Sequence, residues 1–250
     1  MPLHLISKLE SFTRLSVLDR QALDAVVTEK QRRLGAREDI ICEGDNPSHV
    51  NLILDGWACR YKQLEDGRRQ IISFFLPGDF CDSHVYVLRA MDHSIGTLTP
   101  VTFAEISRDS LSQVTSRQPR IMQALWWDTL VQASIQREWT VNLGQRSATE
   151  RVGHLLCELF LRLRIVGLAD GDGCLLPVTQ ADLADAMGLS TVHINRTLQE
   201  LRGAGLIVLK GRHLTIPDLP ALQTASLFNP NYLHLDHVGR HLDAGTAGEL

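Results

Sequence analysis

Thr179-Gln-Ala-Asp-Leu-Ala-Asp-Ala-Met-Gly-Leu-Ser-Thr-Val-His-Ile-Asn-Arg-Thr-Leu-Gln-Glu-Leu201 is the stretch that decides how this chain is read. Two short amphipathic helices meet in it at a glycine turn. Thr179 can cap the first helix, and Asp182 stands at the third helical position, the spacing of a capping box. Leu183, Ala184 and Met187 then share one face. Gly188 supplies the turn, Leu189 plugs the angle, and Ser190 caps the second helix. Ile194, Leu198 and Leu201 fall four and three apart and point inward. The pattern predicts a helix-turn-helix whose second helix, Thr191–Ala204, fits the major groove of DNA.

The other face of that helix carries Val192, Asn195, Arg196 and Gln199, with Thr191 and His193 at its start. Arg196 has the geometry to grip guanine O6 and N7 or a phosphate. Asn195 and Gln199 suit adenine, while Val192 and Thr191 offer methyls to thymine. An ordinary helical hairpin shares the internal pattern, but the segment beyond Leu201 argues against one. Gly203 and Gly205 end the helix. Leu206–Leu209 reads as a strand, Lys210-Gly211-Arg212 as a tight turn, and His213–Ile216 as the return strand. This is the outline of a wing, with Lys210 and Arg212 at its tip for a phosphate. Thr179, Ser190, Thr191, Val192, His193, Asn195, Arg196, Gln199, Lys210 and Arg212 are the expected contacts to double-stranded DNA.

Composition narrows the alternatives. The 250 residues suffice for two modest domains, and 44% hydrophobic with 22% charged residues is ordinary for a globular chain. The net charge of −4 excludes a protein that coats nucleic acid by bulk charge, whereas local basic charge suits a sequence reader. No apolar run reaches membrane-spanning length, and Met1–Ile6 lacks the features of a secretion signal, so a cytoplasmic protein without membrane contact is expected. Five scattered cysteines without a Cys-x-x-Cys pair predict neither disulfides nor a zinc ribbon.

Before the helix-turn-helix, Ser16–Glu29 reads as a capped helix. Gly44, Gly56, Gly67 and Gly78 come next, spaced 12, 11 and 11 apart, with β-rich runs Val50–Leu54, Trp57–Gln63 and Gln70–Leu76 between them. Ile95–Leu98 and Val101–Ile106 look like further strands. Evenly spaced turn glycines between short strands predict a β-barrel or jelly roll. Pro119 opens a long helix to about Leu143, apolar on more than one side, so that one face can cover the barrel and another can meet a second copy. Gly144-Gln145-Arg146-Ser147 reads as a hinge and Ala148–Val166 as the next helix. Gly171-Asp172-Gly173 reads as a loop and Leu219–Leu227 as a short helix. The tail from Gly239 is expected to lack structure, and its neighbours His234, His237 and His241 read better as solvated than as metal ligands.

Barrel, long helix, hinge and winged helix in that order resemble the cyclic AMP receptor protein and Fnr superfamily of bacterial regulators, over about Leu15 to Ile216. Gly44, Gly56 and Gly78-Asp79 fall where the family's barrel turns fall, and Gly188, Ser190 and Arg196 match its DNA-binding signature. The resemblance implies an α+β chain: a cyclic-nucleotide-binding-like β-roll (jelly roll) over 1–118, a dimerisation helix and hinge over 119–145, a winged helix-turn-helix over 146–217, and a partly disordered extension over 218–250. It further implies a homodimer joined through the long helix, at Ile121, Leu125, Trp126, Leu130, Ile135 and Trp139. Such a dimer would bind a palindromic promoter site and alter recruitment of RNA polymerase.

The departures concern the effector. Cyclic-nucleotide members place Gly-Glu just after the Gly-Asp turn, the glutamate for ribose, and an arginine further on for phosphate. Asp82-Ser83 stand in the Gly-Glu place here, Met91-Asp92-His93 near the arginine's, and Arg89 two positions early. A phosphodiester beside Asp82 and Asp92 would meet repulsion, so cyclic AMP is not expected. The first 41 residues hold no cysteine for an iron–sulfur centre, and Val192 replaces the usual glutamate of the recognition helix. Asp79, Cys81, Asp82, Ser83, His84, Arg89 and His93 form the candidate effector pocket. Cys81, His84 and His93 are ligand types for zinc, iron or haem, but a solvated loop around one buried cysteine is the plainer reading. No cofactor and no metal is therefore assigned, and a small-molecule effector stays open. A sensing module without sequence-specific DNA binding is the alternative. No catalytic motif points to an enzyme.

Overall fold

The computed structural model describes residues 3–83 and 87–235. His84, His237 and His241 lie outside the described residues. Of the described residues, those up to Arg60, Phe74–Ala133 and those from His234 form one compact unit, and Tyr61–Ser73 with Ser134–Leu233 form a second.

The first unit opens with α1 (Leu3–Glu10) and α2 (Val17–Glu29), the latter capped by a reciprocal Ser16–Asp19 box. Strands β1 (Gln31–Leu34), β2 (Asp39–Ile41), β3 (His49–Asp55), β4 (Ala58–Gln63), β5 (Arg69–Phe75), β6 (Phe80–Cys81), β7 (Ser94–Thr97) and β8 (Val101–Ser107) come after them. They pair as two sheets, ordered β1-β8-β3-β6 and β2-β7-β4-β5. The register Val50↔Ile106, Leu52↔Ala104 in the antiparallel β3–β8 pair aligns apolar side chains on one face. Leu52, Ile53, Phe74, Phe75 and Phe103 fill the core without exposure. Short strands in two sheets around one apolar filling make the expected β-roll.

The turn at Gly78 could be built from no other residue. Its φ is 93°, and a Cβ there would stand 2.8 Å from backbone atoms of His4, because α1 packs straight onto it. The next residue, Asp79, accepts from the Leu76 amide at 2.7 Å and from Lys8 Nζ at 2.7 Å. Lys8 also lies 2.6 Å from Asp128 of the long helix. Burial opposes a charge on Lys8, but the two carboxylates overcome it and raise its pKa. The lysine is thus held as a cation between three chain segments.

Helix α3 (Arg108–Arg117) leads into α4 (Pro119–Gln145), which runs through Gly144 rather than stopping before it. Four of the six residues read as dimer contacts turn into the protomer's own interior: Ile121, Leu125, Ile135 and Trp139 are at most 3% exposed. Each packs inside its own chain. Trp126 and Leu130, four residues apart on one side, are 63% and 65% exposed, and Val141 further along is 46% exposed.

In the second unit, α5 (Ala148–Ile165) starts at a Ser147–Glu150 capping box, and every residue from Val152 to Leu163 is buried. A helix enclosed all round is a central beam. Around it lie β9 (Ala169–Asp170), β10 (Gly173–Leu175), α6 (Gln180–Met187), α7 (Thr191–Gly203), β11 (Val208–Lys210), β12 (His213–Thr215) and α8 (Leu219–Ala225). The stretch read as a loop at Gly171-Asp172-Gly173 is the turn of a β9–β10 hairpin. That hairpin joins the wing in a four-stranded sheet ordered β11-β12-β10-β9.

Candidate nucleic-acid interface

The helix-turn-helix is held by local capping and by two arginines from elsewhere in the chain, Arg69 and Arg151. Thr179 and Asp182 exchange bonds as a capping box: Thr179 Oγ accepts from the Asp182 amide at 3.1 Å, and Asp182 accepts from the Thr179 amide at 2.9 Å. Gly188 sits at φ 63°, ψ 37°, the left-handed cap that turns the chain between helices, and the Leu189 amide closes it onto Ala184 O at 3.1 Å. Ser190 then accepts from the His193 amide at 3.2 Å to start α7. Ile194, Thr197, Leu198 and Leu201 are the buried side of α7.

Arg69, on the β4–β5 hairpin, reaches both acids of α6, with bonds of 3.0 Å to Asp182 and 2.8 Å to Asp185. Gln70 adds a bond to Ala186 O at 3.1 Å. Arg151 of α5 donates to Leu143 O (3.0 Å), Arg146 O (3.1 Å) and Met187 O (2.7 Å), placing a cation on the carbonyl ends of α4 and α6 at once. Arg146 binds Glu138 at 2.6 Å and Leu227 O at 3.2 Å. Arg69 went unread in the sequence because its two acids lie more than a hundred residues away.

The outward side of α7 has a different character. Val192 is 80% exposed, and Thr191, Arg196 and Gln199 are exposed around it, with His193 and Asn195 half-buried. Arg196 stands 3.9 Å from Glu200, too far for a hydrogen bond, so its guanidinium is not committed. Glu200 is instead held by Thr149 at 2.8 Å. Gln199 donates to Asn195 Oδ1 at 3.0 Å, and Asn195 donates to Gln180 Oε1 at 3.2 Å. Gln180, the first residue of α6, was absent from the sequence reading; standing beside the capping threonine, it was open to being found there. At the wing, Lys210 and Arg212 are exposed on either side of Gly211. Thr179 and Ser190 are exposed at the two helix starts.

The residues read as an effector pocket are only partly brought together. Asp79 is engaged with Lys8, and Arg89 is exposed. Cys81 is buried, and burial first, then the nearby Asp82, pushes its thiol well above its ordinary pKa, which keeps it unreactive. Ser83 is buried beside it. Asp82 and His93 do meet, 3.0 Å apart, and His93 Nδ1 lies 2.7 Å from Asp92. The third member is Arg60, missed in sequence. It bonds to Asp82 and, at 3.2 Å, to His93 Nε2, with its guanidinium 5.1 Å from the Phe75 ring centroid. A counter-charge is therefore present where the sequence reading saw only repulsion, and a carboxylate of the chain already holds it. Among the described residues, no three His, Cys, Asp or Glu side chains converge as metal ligands.

A cyclic nucleotide-binding domain model matches residues 31–118, and a Crp-like helix-turn-helix domain model matches residues 150–225. The chain is 30% identical over 195 residues to the nitrogen fixation regulation protein FixK of Bradyrhizobium diazoefficiens, covering 75% of this chain and 81% of that protein. It is 29% identical over 195 residues to the transcriptional activator protein FnrL of Cereibacter sphaeroides, covering 76% and 78%. The structure of FixK2 from Bradyrhizobium japonicum superposes with a TM-score of 0.69 at 25% identity, covering 78% of this chain and 96% of that one. The chain belongs to the Crp/Fnr family and is a transcription regulator with a helix-turn-helix DNA-binding domain. These relatives are regulators, not enzymes, and the family pairs DNA binding with dimerisation. No helix among the described residues is long and apolar enough to cross a membrane.

The barrel model implies a cyclic nucleotide. The residues present do not fit one. Arg60, the guanidinium of the cluster, is bound to Asp82, and Asp92 places a second carboxylate 2.7 Å from His93 Nδ1. A phosphodiester would have to displace the first and approach the second.

Proposed function

We propose that this chain acts as a homodimer on a two-fold-symmetric promoter site, reads bases with the outer face of α7, and answers to no cyclic nucleotide. The observation that carries the base readout is Val192. A valine 80% exposed at the start of an otherwise polar helix face gains nothing from solvent and fits a thymine methyl. Arg196 and Gln199 extend that face. Thr179, Ser190, Lys210 and Arg212, all exposed, take the phosphates, which set register and carry no sequence information. Trp126 and Leu130 support the dimer, since two large apolar side chains one turn apart make a seam for a second α4. One recognition helix per chain then suffices, because a dimer presents two helices about one DNA turn apart. RNA polymerase is the expected partner of the bound dimer.

The test is selection of genomic fragments by purified protein, followed by footprinting. The expected result is a palindrome with half-sites one helical turn apart. A Trp126→Lys/Leu130→Lys variant should be monomeric and lose that site. A monomeric wild-type protein that retains no fragment would refute the reading.

A further inference from the structure

We propose that Asp82 is a built-in anion: its carboxylate occupies the Arg60 site that an external effector would fill, and it holds the barrel in its DNA-binding form. The inference rests on the reading that no cyclic nucleotide is the signal. Three observations lead to it. Asp82 has φ 66°, in the left-handed region that a non-glycine residue adopts at a steric penalty. What it gains there is contact: Oδ1 receives Arg60 Nη2, and Oδ2 lies 3.0 Å from His93 Nε2. The group is substantially withdrawn from water, with side-chain exposures of 15% for Arg60, 25% for Asp82 and 10% for His93. A guanidinium half-buried over an aromatic ring needs an anion, and the fold supplies it from its own chain.

The consequence for DNA binding runs along the chain. Arg60 is the last residue before the hairpin segment Tyr61–Ser73, and the far arm of that hairpin carries Arg69, which holds Asp182 and Asp185 of α6. Fixing Arg60 fixes the root of the hairpin whose other arm supports the helix-turn-helix. The barrel then has no need of a diffusible signal, because its ligand is tethered.

Removing the tethered anion should leave a receptor for a free one. Asp82→Gly suits the left-handed backbone and opens space beside Arg60, so loss of folding is not the expected outcome. The probe is sodium formate, matched in ionic strength by sodium chloride, with DNA affinity and melting temperature as readouts on the full chain. D82G is expected to bind its operator about tenfold more weakly, within the range of allosteric couplings, and to melt lower. Formate should restore both saturably, and chloride should not. Asp82→Asn, which keeps the shape but not the charge, should share the defect. Arg60→Gln should be defective and deaf to formate. The proposal is overturned if D82G and D82N match wild type, or if their defects ignore formate. The underlying reading is tested separately: wild-type protein titrated with cyclic AMP should keep its operator affinity, and a rise there would overturn that reading whatever D82G does.

Discussion

Lys8, Asp79 and Asp128 close on one another inside the N-terminal unit, whereas the outer side chains of α7 close on little but each other. The first set is buried and bonded at 2.6–2.7 Å. The second leaves Val192 80% exposed and the Arg196 guanidinium 3.9 Å from the nearest acid. Both sets are rich in polar groups, so composition does not separate them. What separates them is whether the chain supplies the partner. Charges answered from within hold segments together, and groups left open are available to another molecule. Arg60 belongs with the first kind, because Asp82 answers it.

The contrast is broken most severely at Lys8. Lys8→Met leaves two carboxylates, Asp79 and Asp128, buried with no cation between them. Removing one side of such a group costs about 3–5 kcal/mol, and urea denaturation should show a loss of that size. Changing Asp128→Asn in the same chain removes one of the stranded charges and should return part of the stability. A single Lys8→Met variant as stable as wild type would mean that the cluster holds nothing together.

Next in size is the open set. Arg196→Ala should weaken operator binding by about 1–3 kcal/mol, roughly fivefold to 150-fold, and relax preference at one base pair. Stability should barely change, since in the free protein the side chain makes only an exposed 3.9 Å ion pair with Glu200. The opposite pattern, with stability lost and affinity intact, would move Arg196 into the closed set. Fluorescence anisotropy with selected and scrambled duplexes separates the two.

The two sets also differ in how far the sequence reveals them. The helix-turn-helix was legible because its determinants are local: cap, glycine turn, second cap and a periodic apolar side all lie within Thr179–Leu201. The barrel strands between the turn glycines were legible for the same reason. Helix α3 was not, because it buries only Leu111 and Thr115 and otherwise reads as polar loop. Nor was β1, whose Gln31-Arg32-Arg33 is exposed throughout. Apolar residues surround most of α4, so periodicity found the helix but not which side faces a partner; hence Ile121, Leu125, Ile135 and Trp139 were assigned outward. Arg69 and Arg60 escaped because their partners lie 113 and 22 residues away, and an isolated arginine in a strand carries no mark of what it will meet.

His154 sharpens the comparison from a third side, as a buried polar group whose unfavourable charge is avoided rather than answered. It is fully buried, its ring stacked 5.7 Å from Tyr232 and tilted against Phe228 at 4.8 Å, and neither ring nitrogen has a hydrogen-bond partner. Glu138 lies 3.3 Å from Nε2, but Arg146 already binds that carboxylate. Burial first, and the Arg146 charge second, lower the His154 pKa from 6.5 to about 3. Above pH 6.5 the imidazole is neutral in folded and unfolded chains alike and contributes no pH dependence. Between 6.5 and about 3 the unfolded chain takes up a proton that the folded chain refuses, so stability falls with acid. The slope is about 1.4 kcal/mol per pH unit for one such group. His154→Phe fits the same aromatic stack and cannot protonate. Its loss of stability between pH 7.5 and 5.5, measured by urea denaturation, should be smaller than that of wild type by roughly 1.4 kcal/mol. Equal losses in the two proteins would show that His154 takes its proton in the fold, with Glu138 answering it after all.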